Sequence, residues 1–128
     1  MNQGDATQSR AEEFRKEREH LNQLVLEHGD LTTKRFFSLD TQAYAAGALS
    51  VKSKELMGLV ASLVLRCDDC ILYHLIRCCE EGITDEEFSE TMSIGLVVGG
   101  SITIPHIRRA YREWTKLRDD SKDQTRGR

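Results

Sequence analysis

The chain has 128 residues, of which 39% are hydrophobic and 30% are charged, and its formal net charge is -3. These values suit one soluble globular domain over residues 1–128, and the small negative charge gives no electrostatic reason to bind nucleic acid or an anionic membrane. The longest nearly continuous apolar run, Leu56–Leu65, is too short to cross a bilayer, and residues 1–19 contain no apolar signal region. We therefore expect a cytoplasmic protein with neither nucleic acid nor membrane as a partner.

A single proline and the scarcity of alternating segments predict an all-α chain, with an ordered core over about residues 10–118 and flexible ends. The first helix is predicted from about Arg10 to His28, capped by Ser9 and stopped by Gly29. The second is predicted from Leu31 to about Leu49, and its apolar face consists of Phe36, Phe37, Leu39, Tyr44, Ala45 and Ala48.

The third predicted helix runs from Val51 to about Leu65, with Ser50 as its cap, and its apolar positions surround most of its circumference. Glu55 lies at the edge of that apolar set. On its own pattern, this carboxylate is best explained as a solvated position beside Lys52 and Lys54. A buried carboxylate here would instead have a raised pKa and suit proton transfer.

The fourth predicted helix, from about Cys67 to Glu81 with Gly82 as its stop, carries the residues of greatest chemical interest. Residues three, four and seven apart share a helix face. One stripe of this helix therefore consists of Cys67, Cys70, His74 and Cys78, and a neighbouring core stripe consists of Ile71, Leu72, Leu75, Ile76 and Cys79.

The last two predicted helices have clear start signals. Thr84 and Glu87 form a capping box that opens a helix closed by Gly99-Gly100. A final helix begins near Thr103-Ile104-Pro105, with proline in its first turn. His106 is expected to be solvated or to cap this helix.

The stripe on the fourth helix suits thiol–disulfide chemistry, metal binding or simple packing. Four cysteines in a cytosolic chain, two of them as C-x-x-C, fit redox or metal chemistry better than structural disulfides. A helix N-terminus favours the thiolate of a cysteine placed there, and His74 could exchange a proton with it. Asp68 and Asp69 oppose this, because their negative charges disfavour a thiolate.

Metal binding is the weaker of these hypotheses. A structural zinc ion needs four ligands around it. The stripe extends about 16 Å along one straight helix, so its residues cannot surround one ion. We predict no metal ligand and no bound cofactor.

Together these residues resemble the AhpD-like family, also called the carboxymuconolactone decarboxylase superfamily. The redox members of that family carry a Glu, then C-x-x-C, then x-x-x-H, and here these are Glu55, Cys67, Cys70 and His74. The segment Glu81–Glu87 is also similar to the start of a helix in the family. The resemblance covers about Leu31 to Trp114.

The resemblance implies an all-α fold in which an antiparallel helix pair carries the site, with assembly into trimers or hexamers. It implies alkylhydroperoxidase-type activity, a peroxiredoxin-type oxidoreductase reaction, or disulfide reduction. In that comparison Cys70 is similar to the attacking thiol, Cys67 to the resolving thiol, and Glu55 and His74 to the proton relay. A small hydroperoxide would be the substrate and a dithiol protein the reductant.

Two departures from the family pattern bear on this assignment. The chain has Asp69 where a well-studied peroxidase member has a histidine, and it has one copy of the helical unit instead of two. Alternative functions are a decarboxylase-type lyase acting on a small acidic lactone, although such members generally lack the cysteine pair, and a non-enzymatic metal-binding module.

Overall fold

A computed structural model describes residues 10–126, with side chains up to residue 122. Throughout this range the regular secondary structure is helical, which confirms the all-α prediction. The chain divides after Ala48 into two compact units. The expected flexibility of residues 1–9 and the predicted cap at Ser9 lie outside the described residues.

The first unit contains helices α1 (Arg10–His28) and α2 (Leu31–Tyr44). The carboxylate of Asp30 caps α2 by accepting a hydrogen bond of 2.9 Å from the backbone N–H of Thr33. The predicted continuation of α2 to about Leu49 is wrong, because Ala45 is already extended, with a ψ of 149°. Alanine has the highest helix propensity. The alanines in this segment therefore favour a helix that the structure does not form.

The apolar residues of α1 and α2 are largely exposed. Helix α2 contains no buried residue, although its sequence pattern predicts an apolar face. Across the two helices the exposed large hydrophobic residues are Leu21, Leu24, Val25, Leu26, Leu31, Phe36 and Leu39.

The second unit contains α3 (Val51–Val64), α4 (Asp68–Glu80), α5 (Asp85–Gly99), a single 3₁₀ turn (Ser101–Thr103) and α6 (Ile104–Arg126). Helix α3 packs against both α4 and α5, and α4 also packs against α6. Helix α6 continues well beyond residue 118, where the predicted core ends.

The core of the second unit is built mainly from α3, α4 and α5. Its buried apolar side chains are Leu59, Leu63, Ile71, Leu72, Leu75, Ile76, Cys78, Ile83, Phe88, Met92, Ala110 and Trp114. Helices α3 and α5 approach closely at Gly95, where a Cβ atom would overlap the side chain of Leu63. Phe88 stacks on Trp114, with ring centroids 4.7 Å apart, and this contact connects α5 to α6.

The start of α3 and both ends of α5 lie where the sequence predicts them. The hydroxyl of Ser50 accepts a hydrogen bond of 3.0 Å from the Ser53 N–H at the start of α3. Both bonds of the capping box between Thr84 and Glu87 are present, and Gly100 caps the end of α5. In the described range, no helix is both long enough and apolar enough to cross a membrane.

The turn that connects α3 to α4 places the cysteine pair. Arg66 adopts a left-handed conformation, with a φ of 60°. Its N–H bonds the carbonyl of Leu63 at 2.9 Å, and the Cys67 N–H bonds that of Ser62 at 3.1 Å. These two bonds are the Schellman pattern that closes a helix C-terminus. A turn this short makes α3 and α4 antiparallel neighbours.

Candidate active site

Cys67 and Cys70 form a disulfide, with their Cα atoms 5.3 Å apart. Cys67 is the N-cap residue of α4, and its Sγ accepts a hydrogen bond of 3.3 Å from the Cys70 N–H. Cys67 is half-buried and Cys70 is exposed. A cysteine sulfur at a helix N-cap is surrounded by unpaired N–H groups, which stabilise its thiolate when the bond is reduced.

Glu55 and His74 form a buried pair between α3 and α4. Their relative accessibilities are 2% and 7%, and Nδ1 of His74 lies 2.8 Å from Oε1 of Glu55. The interpretation of Glu55 as a solvated edge position is therefore wrong. The hairpin folds α3 back on α4, which brings together two residues that are 19 positions apart.

Arg77, which the sequence interpretation did not single out, is a second partner of Glu55. Its Nε lies 3.5 Å from Oε2 of Glu55, and its Nη atoms bond Glu80 and Glu81 at 2.8 and 3.1 Å. The Glu55 carboxylate is thus contacted by an imidazole at one oxygen and a guanidinium at the other. Arg77 lies three residues after His74, and this spacing on one helix face was the available signal.

A second carboxylate–histidine pair lies beside the cysteines. Nδ1 of His106 lies 2.7 Å from Oδ1 of Asp68, and Nη2 of Arg109 lies 3.1 Å from Oδ2. Burial raises the pKa of Asp68, but the hydrogen bond from His106 and the charge of Arg109 outweigh it, so the pKa is below its ordinary value. The expectation that His106 is solvated or caps its own helix is wrong, because its side chain reaches from α6 to α4.

The two remaining cysteines differ from the C-x-x-C pair. Cys78 is fully buried and carries a free thiol. Burial, followed by the negative charge of Glu55, raises the pKa of Cys78 to about 12. Cys79, assigned to the core stripe, is only half-buried. Cys78 is therefore a packing residue, although it shares a stripe with the C-x-x-C pair in the sequence, and its thiol stays protonated near neutral pH.

These contacts define an all-α protein with a dithiol/disulfide centre at a helix N-terminus and a buried carboxylate–imidazole pair on the same helical hairpin. Cys70 and His74 are one turn apart on α4 and share a face of it. Glu55 and His74 can together carry a proton, and the cysteine pair can carry two electrons. Among the described side chains, no group of three His, Cys, Asp or Glu residues is arranged to hold a metal ion.

The chain belongs to the carboxymuconolactone decarboxylase family, whose sequence model matches residues 30–113. This range includes Glu55, both cysteines of the C-x-x-C pair and His74, and it confirms the resemblance predicted from those residues. Among curated proteins, an uncharacterised protein of Cupriavidus necator is 32% identical over 54 residues. That match spans 42% of this chain and about half (48%) of the relative.

Two crystal structures of a family protein from Thermotoga maritima are similar to this chain. The first is 57% identical, with a TM-score of 0.85, and the match covers 88% of this chain and 95% of the Thermotoga maritima chain. An antioxidative role has been suggested for that protein. The second has the same TM-score and 58% identity, over 87% and 97% of the two chains. A family protein from Legionella pneumophila, solved in its apo form, is 26% identical over 81% and 92%, with a TM-score of 0.71.

Proposed function

We propose that this protein is a thiol-dependent peroxidase of the alkylhydroperoxidase type, which also reduces or exchanges disulfides through the same pair. One observation carries this proposal: the Cys67–Cys70 disulfide lies at the N-terminus of the helix that carries His74, and His74 is hydrogen-bonded to the buried Glu55. The antioxidative role suggested for the Thermotoga maritima relative agrees with it.

In the first step the thiolate of Cys70 attacks the terminal oxygen of a hydroperoxide. The O–O bond breaks, a sulfur–oxygen bond forms, and Cys70 becomes a sulfenic acid. The alkoxide leaves and takes up one proton to become an alcohol. His74 is the proton donor, because it lies one turn from Cys70, and the buried carboxylate of Glu55 holds its ring through the hydrogen bond at Nδ1.

In the second step the thiolate of Cys67 attacks the sulfur of Cys70. The disulfide forms and hydroxide leaves, which is protonated to water. An external dithiol protein then reduces the disulfide through a mixed disulfide, and it leaves oxidised. Cys70 is exposed and Cys67 is half-buried, which supports attack by such a partner at the sulfur of Cys70.

We further propose that the protein works as a homo-oligomer, a trimer or a hexamer. Both units present large apolar side chains to solvent, including Phe36 and Leu39 in the first and Val97 and Val98 in the second. Apolar patches of this kind mark association surfaces. Light scattering at micromolar concentration tests this, and a monomeric mass would contradict it.

The direct test mixes reduced protein with a small organic hydroperoxide and counts free thiols after unfolding. We expect two thiols to be lost per chain and one alcohol to form per disulfide. Cys70→Ser should abolish the reaction, whereas Cys79→Ser is the matched control, because Cys79 is a cysteine of the same helix outside the Cys67–Cys70 disulfide. Unchanged thiol content in the parent, or a Cys70→Ser variant that reacts as fast as the parent, would refute the assignment.

A further inference from the structure

Asp68 is placed where its negative charge should weaken the cysteine site. It is the first residue of α4 and follows Cys67 directly in the chain. A carboxylate this close to a thiolate disfavours the thiolate by Coulomb repulsion. The helix N-terminus acts in the opposite direction, so the net effect depends on what else contacts Asp68.

Helix α6 supplies two partners to this carboxylate, His106 and Arg109, from a distant part of the chain. His106 bonds one oxygen of Asp68 at 2.7 Å, and Arg109 bonds the other at 3.1 Å. His106 is itself close to Arg109, with Nη2 and Nδ1 3.2 Å apart. Both oxygens of Asp68 are therefore occupied on the α6 side, and the guanidinium brings a full positive charge to the N-terminal turn of α4.

We infer that Arg109 and His106 are positioning residues for Cys67 that act through Asp68: they hold the first turn of α4 and offset the negative charge beside the Cys67 thiolate. This inference deepens the proposed function and rests on it, because a reactive Cys67 is needed for the second step and for exchange with the reductant. It also assigns a role to Asp68, which the sequence pattern marks only as an obstacle.

The other charges near Cys67 leave room for this effect. Arg66 precedes the pair in the chain and Asp69 lies inside it; both are exposed, as Asp68 itself is, and both stay unchanged in the variants compared below. Glu55 and Arg77 are the other charged residues of the hairpin discussed above, and they contact each other. Arg109 is the cationic residue of α6 that contacts Asp68, and its charge is therefore the one that the test removes.

The test measures the pH dependence of Cys67 alkylation in a Cys70→Ser background, with mass spectrometry of the peptide that contains Cys67. Arg109→Met should raise the midpoint pH by about 0.5 to 1 unit, as expected for a unit charge several ångströms away. Asp68→Asn should lower the midpoint by a similar amount. The double variant should return close to the parent, and Arg109→Lys should keep the parent midpoint, since lysine retains the charge.

Opposite signs distinguish a charge effect from a structural one. If the contact between Arg109 and Asp68 only braced the helix, removing either partner would shift the Cys67 midpoint in the same direction. Shifts of the same sign, or no shift in either variant, would overturn the inference. His106→Leu should shift the midpoint in the direction of Arg109→Met, and an opposite shift would likewise count against it.

This result is independent of whether the protein consumes peroxide. The midpoint of Cys67 is measured without peroxide, so a protein that fails the thiol-loss test can still show the opposite shifts. Conversely, if the protein consumes peroxide but the Cys67 midpoint is unchanged in the Arg109 and Asp68 variants, the proposed function stands and this inference is wrong. Thermal unfolding of each variant checks that the compared proteins are folded at the assay temperature.

Discussion

Glu55→Gln replaces the buried carboxylate with a group of the same shape and no charge. The amide oxygen can still accept a hydrogen bond from His74, but the amide N–H group then faces Nε of Arg77, which is also a donor and lies 3.5 Å from Oε2 in the parent. His74 loses its carboxylate partner at Nδ1. The variant therefore tests the proton relay while leaving the packing of the hairpin in place.

The magnitude follows from the burial of both partners. Loss of a hydrogen bond to a charged group in the interior costs about 1.5 to 3 kcal/mol of unfolding free energy. For a chain of this length this corresponds to roughly 6 to 11 °C in Tm. Proton transfer by a positioned side chain contributes about 10²- to 10⁴-fold to rate, so we expect the rate constant for hydroperoxide consumption to fall by about 10²-fold.

The assay follows disulfide formation after mixing reduced protein with hydroperoxide, well below the Tm of the variant. Glu80→Gln is the matched control, because Glu80 bonds the same Arg77 at 2.8 Å but is exposed. An exposed ion pair is worth at most about 1 kcal/mol, so this variant should keep nearly the parent rate. If Glu55→Gln is folded and reacts as fast as the control, Glu55 is a structural residue only, and the proposed relay is wrong.

Three further predictions follow from the second unit. Cys78, whose pKa is raised to about 12, should stay unmodified by iodoacetamide at pH 8 in the reduced, folded protein while Cys70 is labelled; equal labelling would contradict its burial. Gly82→Ala should lower the unfolding free energy by about 1 to 2 kcal/mol in denaturant titrations. Gly82 has a φ of 77°, which strains an alanine, and nothing lies within 4 Å of a Cβ there, so the loss would come from the backbone alone. An unchanged denaturation midpoint would refute this backbone effect. The pKa of Asp68 is lowered by His106 and Arg109 against the effect of burial, so its stabilising contribution is present above the ordinary carboxyl pKa and is lost as the pH falls through the lowered value. Parent and Asp68→Asn should therefore differ in stability at pH 6 and converge as the solution is acidified below pH 4, and a gap that widens on acidification would contradict the sign.

The sequence predicted best those features that depend on residues close together in the chain. The caps at Ser50 and Thr84, the stop at Gly82 and the shared face of Cys70 and His74 depend on residues within a turn or two. The pairing of Glu55 with His74 depends on how α3 folds back on α4. The family resemblance predicted that Glu55 and His74 act together in a proton relay, whereas the residue pattern of α3 alone favoured solvent exposure of Glu55.

The contacts that the sequence did not predict are long-range or depend on the end of a helix. His106 meets Asp68 across 38 residues, and no spacing rule connects the two, because the packing of α6 on α4 decides it. The end of α2 was misplaced because Ala45 and its neighbours have high helix propensity, whereas Ala45 is extended and the segment after it is exposed. Single-domain organisation and the assembly state stay predictions.

The short turn at Arg66 keeps the residues of the candidate active site within one continuous stretch of the chain. Ser50 opens α3 and Gly82 closes the turn after α4, and between these two caps the chain contains the Glu55 carboxylate, both thiols and His74. We expect that such a segment can be grafted as one piece with the contact between Glu55 and His74 intact. The α6 residues that contact Asp68 would be left behind, so a transplanted hairpin should keep its dithiol and lose the effect on the Cys67 thiolate that we propose for α6.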